Sequence, residues 1–191
     1  MGLRRITLDI ETTYAAPGTF DPSSMELSLI GIHDTFDDSF QSFTVPELPK
    51  LWPILERADV LVGYNSDHFD IPILNKYYTG DLTKIRSIDL LTEIRNVLGR
   101  RLKLDSVAKA TLGKKKSGSG LDAVRWWAEG KIDKVRKYCL DDVKITKEVY
   151  EYALQNGKVR YDDFGTKRDI PLDTAHWEKT GGTAITHTLP F

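Results

Sequence analysis

The order of the apolar segments constrains the fold more than any other feature of this sequence. Three segments near the start have the apolar or alternating pattern of β-strands, and they cover residues 3–10, 27–33 and 39–45. Asp37 and Asp38 between the last two predict a hairpin, and hence a meander of three strands. A further strand at residues 59–63 lies among helical segments. This order predicts an α/β domain with a mixed sheet and flanking helices.

Six segments with helical periodicity accompany the strands, and the last is the longest predicted element. Asp89 is placed to cap the third helix, and Gly113 to end the fourth. A hairpin is expected around residues 163–165, whereas the threonine-rich end of the chain has no periodicity. We therefore predict one domain over residues 1–179 and a tail over residues 180–191. The predicted helices cover residues 47–57, 70–78, 89–98, 104–112, 121–129 and 132–154.

Composition limits the class of protein further. With 191 residues, 40% of them hydrophobic, the chain suits one compact domain. Its apolar runs are shorter than the roughly 18 residues of a membrane-spanning helix, and its first residues lack the order of a secretory signal. A single cysteine, Cys139, excludes an internal disulfide framework. We expect a monomeric, cytoplasmic protein without membrane association.

Positive charge is concentrated in one part of the chain. The net charge is only -1, but residues 95–116 contain eight basic residues and one acid, Asp105, so this stretch has a charge of +7. Such a segment fits a basic track beside an acidic metal site, because a nucleic-acid backbone is anionic. It fits a solvated helix face and loop equally well.

The segment Leu8-Asp9-Ile10-Glu11-Thr12 places two carboxylates at the end of the first strand. Because side chains alternate along a strand, Asp9 and Glu11 point one way while Leu8 and Ile10 point into the core. Carboxylate oxygens on a rigid strand suit Mg²⁺ or Mn²⁺. The alternative is a strand with a solvated outer face, although acidic residues are depleted in strands.

A second acidic element, Asn65-Ser66-Asp67-His68-Phe69-Asp70, leads from the fourth strand into a helix. Asp70 is a candidate metal ligand, and Asp67 competes with it for this role. Pro72 also fits the first turn of a helix, in which Asp70 would only cap free amides. His68 is expected to be a surface or packing residue, because no His or Cys lies near it at ligand spacing.

A third element, Tyr138-Cys139-Leu140-Asp141-Asp142, lies inside the longest helix. Tyr138 and Asp142 are four residues apart, so they project from the same helix face. Asp141 points elsewhere. On an isolated helix this pair would have little meaning.

Together, the three elements resemble the DEDD superfamily of 3′-to-5′ exonucleases, which have a ribonuclease-H-like fold and three separated acidic motifs. Tyr138 stands four residues before Asp142, and Lys137 occupies the position at which another branch has histidine. The resemblance is therefore to the tyrosine branch, which includes the proofreading domains of family B DNA polymerases. It extends over residues 3–150 and includes no polymerase domain, so the chain looks like a stand-alone bacterial or phage relative.

This resemblance implies hydrolysis of phosphodiester bonds with two Mg²⁺ or Mn²⁺ ions and release of nucleoside monophosphates. Asp9 would bridge both ions, while Glu11 and Asp142 would hold the ion that activates water. Asp70 would bind the second ion through waters, and Tyr138 would orient the attacking water.

The expected substrate is the 3′ end of single-stranded DNA. RNA is the alternative, because many residues can contact a 2′-hydroxyl. Asn65 is expected near the terminal nucleotide, although it also fits a loop-capping amide. The sequence identifies no polymerase or helicase partner. The residues expected to bind substrate are Thr12, Asn65, Lys114, Lys115 and Lys116.

Two further sequence features have a functional and a structural interpretation. Trp126 and Trp127 could stack bases, but they lie about 100° apart on a helix, which favours core packing. The lysines after Gly113 lack the glycine spacing and the following Ser or Thr of a phosphate loop, which excludes a nucleoside triphosphatase. A non-catalytic nucleic-acid-binding module and a two-metal phosphatase of small esters stay open as alternatives.

Overall fold

A computed structural model of the chain describes residues 2–13, 24–115 and 118–179. Lys116 and the tail predicted over residues 180–191 lie outside these residues. Within them, no helix combines the length and the apolar character needed to cross a membrane.

Among the described residues, five strands form the main sheet: β1 (Arg5–Thr12), β2 (Leu27–Asp34), β3 (Ser39–Thr44), β4 (Val60–Gly63) and β5 (Ser87–Asp89). Their order is β3-β2-β1-β4-β5, so β1 is central. It is antiparallel to β2 and parallel to β4, and β2 and β3 pair as a hairpin. The predicted meander and the mixed sheet are confirmed.

The strand β5 is missing from the sequence prediction. It has three residues and pairs in parallel with β4, with Ile88 opposite Val62. A strand this short shows no recognisable alternation, and its pairing exists only once β4 is in place. Its last residue, Asp89, also caps the following helix by accepting hydrogen bonds from the amides of Leu91 and Thr92, as predicted.

Six α-helices are present in the described residues: α1 (Leu48–Leu55), α2 (Asp70–Asn75), α3 (Leu90–Leu98), α4 (Leu104–Leu112), α5 (Gly120–Ala128) and α6 (Ile132–Asn156). All six predicted helices are therefore confirmed. The main difference is α2, which ends at Asn75 and not at Tyr78. Gly113 adopts the left-handed conformation, with φ of 71°, at the end of α4.

The helices cover the two faces of the sheet and bury a separate apolar cluster on each. On one face, α1 and α2 pack on apolar residues of β1 and β2, including Leu8 and Ile32. On the other face, α3, α4 and α6 pack on β4 and β5, where Val62 and Ile88 are buried. The central strand β1 thus lies between two helical layers, and this packing restricts the motion of its end.

The C-terminal hairpin packs on the second of these layers. Its strands are β6 (Lys158–Asp163) and β7 (Thr166–Pro171), which confirms the predicted hairpin. Beyond it, Trp177 is fully buried and stacks on Tyr150 of α6, with ring centroids 5.1 Å apart. The Arg86 guanidinium donates hydrogen bonds to the carbonyls of Lys179 and His176. The burial of Trp177 was not predicted.

Candidate active site

The alternation of β1 separates its apolar and acidic side chains. Leu8 and Ile10 lie in the apolar cluster beneath α1 and α2. Asp9 and Glu11 point to the opposite face, where α6 packs across β1 and β2. Glu11 is only 7% exposed, although it is acidic. The strand therefore presents two carboxylates to the same helix. The pairing of β1 with β2 is irregular between Glu11 and Thr12, directly after these carboxylates.

Cys139 of α6 joins these two carboxylates. One potential ligand atom from each of Asp9, Glu11 and Cys139 lies within 4.8 Å of the other two. The Cys139 thiol is buried, and Sγ is 3.2 Å from the Asp9 carbonyl oxygen. Burial and the nearby acidic charges raise the pKa of this thiol well above its ordinary value. The sequence motif contained Cys139, but nothing in its spacing indicated this contact.

Tyr138 and Asp142 lie one turn apart on α6 and interact with each other. The Tyr138 hydroxyl donates a hydrogen bond to the Asp142 carboxylate. Burial raises the pKa of Tyr138 most, and the charges of Asp142, Glu11 and Asp9 raise it further. Tyr138 and Asp9 of β1 also line the same cavity. The structure thus brings Asp9, Glu11, Tyr138 and Asp142 into one neighbourhood.

Asp70 reaches β1 by a different contact. Its carboxylate accepts a hydrogen bond from the amide of Ile10, between Asp9 and Glu11, at 3.1 Å. This amide lies beyond the end of β4, where β1 has no further strand partner on that side. Neither Asp70 nor Asp142 is part of the close group that Asp9, Glu11 and Cys139 form among the described residues.

Burial dominates the electrostatics of Asp70. Loss of hydration raises the pKa of Asp70 to about 7, and the negative charges of Asp89 and Asp67 act in the same direction. Hydrogen bonds from its own amide and from Ile10 oppose the shift. Phe69, not Asp70, occupies the N-cap position of α2. The Asp70 carboxylate therefore bonds an amide of the first turn of α2, its own, as the capping alternative has it, and also the amide of Ile10 on β1.

Asp89 organises the loop that precedes Asp70. Besides capping α3, its carboxylate accepts hydrogen bonds from the amides of Asn65 at 2.7 Å and Asp67 at 3.2 Å. Asn65 adopts a left-handed conformation, with φ of 68°, which is more accessible to Asn than to most residues. Asp67 and His68 are exposed, in keeping with the surface position expected for His68. Asp89 thus holds the loop that leads to Asp70, whereas the sequence indicated it only as a helix cap.

A cavity of about 900 Å³ opens beside the acidic residues. Asp9 and Tyr138 lie on its wall, together with Asn65. The wall also includes three basic residues, which are Arg101, Lys103 and Lys115. Arg101 donates a hydrogen bond of 2.6 Å to the side-chain oxygen of Asn65. Acidic and basic groups therefore line the same cavity, a combination that suits a phosphate-containing ligand held against metal ions.

The remaining predicted substrate residues have different environments. Thr12 is half-buried at the bulge of β1. Lys114 is exposed and forms an ion pair with Glu148 of α6 at 2.5 Å, whereas Lys115 lines the cavity. Trp126 and Trp127 are half-buried, and Trp126 packs edge-on against Tyr138 with ring centroids 6.1 Å apart. This contact is the packing role expected for the tryptophans.

The five-stranded mixed sheet with helices on both faces is a ribonuclease-H-like α/β domain. A family model described as the RNase_H superfamily matches residues 6–154. The chain therefore belongs to the RNase_H superfamily, in which nuclease activity is typical. No curated protein matches the sequence.

A solved structure is similar to the described fold. It is the family B DNA polymerase from the hyperthermophilic archaeon Pyrobaculum calidifontis, with a TM-score of 0.61 and 22% sequence identity. The match covers 80% of this chain and 24% of the polymerase chain, so this chain spans about a quarter of the polymerase. At this identity, the similarity is one of fold.

Proposed function

We propose that this protein is a divalent-metal-dependent 3′-to-5′ exonuclease that hydrolyses single-stranded DNA and releases nucleoside monophosphates. The observation that carries the proposal is the close pair of Asp9 and Glu11 carboxylates on β1, beside a cavity that Asp9 and Tyr138 line and whose wall is partly basic. Similarity to a DNA polymerase structure and membership of the RNase_H superfamily support a nucleic-acid substrate.

The donor set fits hard divalent cations. Carboxylates as close as those of Asp9 and Glu11 repel one another, and a cation between them would offset this repulsion. In the proposal, two Mg²⁺ or Mn²⁺ ions are held by Asp9, Glu11, Asp70 and Asp142. Bound there, they would activate water and stabilise the charge that develops on the phosphate oxygens.

The protein's own contribution to the reaction is orientation. Because its pKa is raised, Tyr138 keeps its proton and acts as a hydrogen-bonding group rather than as a base. In the proposal, its hydroxyl orients the attacking water opposite the leaving oxygen. Its packing against Trp126 restricts the ring, so that the hydroxyl is aligned before substrate binds.

In the proposal, the nucleic-acid substrate lies in the cavity. Arg101, Lys103 and Lys115 would bind phosphate groups, and Asn65, with its side chain held by Arg101, would contact the terminal nucleotide. Thr12, Lys114 and Lys116 are the remaining predicted contacts. RNA stays the alternative substrate, since phosphate contacts do not select the sugar.

The test is incubation of the protein with Mn²⁺ and 5′-end-labelled single-stranded DNA or RNA of the same sequence. The expected result is a ladder of products that shortens from the 3′ end, with DNA degraded faster than RNA. The double variant Asp9→Asn/Glu11→Gln should leave the label in full-length strands.

Two further substrates distinguish the alternatives. Circular single-stranded DNA should stay intact, and its cleavage would contradict an exonuclease. Hydrolysis of small phosphate esters without degradation of the strands would indicate a phosphatase. Binding of DNA without cleavage in Mn²⁺ would indicate a non-catalytic module.

A further inference from the structure

Cys139 contacts Asp9 at two atoms. Its single S–H has two acceptors on Asp9, which are the carbonyl oxygen, 3.2 Å from Sγ, and Oδ2 of the carboxylate, 3.7 Å from Sγ. The second distance is within the range of a hydrogen bond that involves sulfur. Cys139 is fully buried, so water does not compete for this donor. The thiol therefore touches both the main chain and the side chain of the residue at the centre of the acidic group.

Gly31 makes this contact possible. It is the register partner of Asp9 on the neighbouring strand β2. A Cβ atom on Gly31 would lie 2.9 Å from Sγ of Cys139 and 3.1 Å from Cγ2 of Val143, which is closer than side chains normally pack. Helix α6 can approach the sheet at this point because glycine leaves the space. The approach places the thiol over β2 and against Asp9.

We propose that Cys139 is a positioning residue, which holds the Asp9 carboxylate in the orientation that binds the catalytic cation. The inference rests on the proposed function, because it takes Asp9 as a metal ligand. A carboxylate that is already oriented loses less conformational freedom when the cation binds. Groups that orient metal ligands commonly change metal affinity by about 10- to 100-fold, and a thiol is a weak donor, so a smaller effect is expected here.

The test compares Mn²⁺ affinity, measured by calorimetric titration without nucleic acid, in four proteins. Cys139→Ala should bind Mn²⁺ about 3- to 10-fold more weakly than the wild type. Cys139→Ser restores a donor and should recover most of this affinity. Val143→Ala is the matched control, because Val143 is equally buried on the same helix, lies next to Gly31 and has an apolar side chain that cannot donate a hydrogen bond to Asp9. It should keep wild-type affinity.

A second variant tests the same contact from the opposite side. Gly31→Ala should displace the thiol and weaken Mn²⁺ binding to a similar extent, with Cys139 still present. Equal affinity of Cys139→Ala and the wild type would overturn the inference, as would equal weakening by Val143→Ala, which would indicate packing alone. Absence of Mn²⁺ binding to the wild-type protein would instead contradict the proposed function itself.

Discussion

The Tyr138 side chain has a restricted ring and a retained proton. Its ring packs edge-on against Trp126, and its hydroxyl donates to Asp142 on the next turn of α6. Burial raises its pKa most, and three nearby carboxylates raise it further, so the neutral phenol is favoured. A neutral donor at a fixed place suits the orientation of a water molecule and does not suit proton abstraction.

Tyr138→Phe should therefore slow the chemical step without removing metal binding. The substitution removes one hydroxyl and almost no volume, so the fold should persist. Single-turnover cleavage at saturating Mn²⁺ should fall by about 10- to 100-fold, less than the roughly 10²- to 10⁴-fold of a positioned proton-transfer group, because the metal would do most of the activation. Asp142→Ala should lower both the rate and the Mn²⁺ affinity. A Tyr138→Phe protein as fast as the wild type would leave Tyr138 with only a packing role.

At the scale of elements, α6 is the helix that carries Tyr138, Cys139 and Asp142. A group of polar contacts around Arg136, here called the clamp, joins its first turns to the sheet. Arg136 donates to the carbonyl and hydroxyl of Ser42 on β3 and to the carboxylate of Glu47, which is 2.7 Å away. Glu47 also accepts hydrogen bonds from the amide and hydroxyl of Thr44. The clamp lies two residues before Tyr138, so it fixes the register of the helix over β1.

The stability of the clamp should depend on pH. The hydrogen bond from the Thr44 amide, followed by that from Arg136, lowers the pKa of Glu47 from 4.5 to about 2. Because the pKa in the folded state is depressed, the contribution is complete above about pH 4.5 and is lost as the pH falls towards 2.

Glu47→Gln should consequently lower the free energy of unfolding by about 0.2 to 1 kcal/mol at pH 7, because this carboxylate is partly exposed to solvent. Its difference from the wild type should vanish near pH 2. Urea unfolding at a series of pH values measures this effect. The loss in the double variant with Arg136→Gln should be smaller than the sum of the two single losses, and additive losses at pH 7 would show that the two residues do not act as a pair.

At the scale of the whole molecule, the segment after β7 packs against α6. Trp177 stacks on Tyr150, whose ring also lies under the Arg5 guanidinium at 5.6 Å. Arg5 in turn pairs with Glu178. Residues from the first strand, the longest helix and the last described segment therefore meet at one place, and the described residues form a single domain.

Trp177→Ala should destabilise this domain by about 3 to 5 kcal/mol, because it leaves a cavity in the place of a fully buried ring. Chemical denaturation with tryptophan-independent detection, such as circular dichroism, measures the loss. Phe164→Ala removes an aromatic ring that is fully exposed and should change stability by no more than about 0.5 kcal/mol. A similar effect of both substitutions would contradict a structural role for the terminal segment.

The sequence by itself determined the elements that have a local cause. The alternation of β1, the Asp37–Asp38 hairpin, the cap at Asp89 and the glycine that ends α4 each depend on neighbouring residues, and the structure contains all of them. Local spacing also placed Asp9 and Glu11 on one strand face and Tyr138 and Asp142 on one helix face, whereas the three acidic motifs were recognised together by their resemblance to a known family. Their assignment as ligands of two metal ions stays a prediction.

Only the tertiary structure decided which distant residues meet. Strand β5 forms because it pairs with β4, and Trp177 is buried because it stacks on Tyr150. Neither segment has a strong local pattern in the sequence. Asp89 reaches Asn65 across 24 residues, and Cys139 reaches Asp9 across 130. Such contacts depend on how closely α6 and the loops approach the sheet. That approach is set by packing at positions such as Gly31, for which sequence periodicity has no signal.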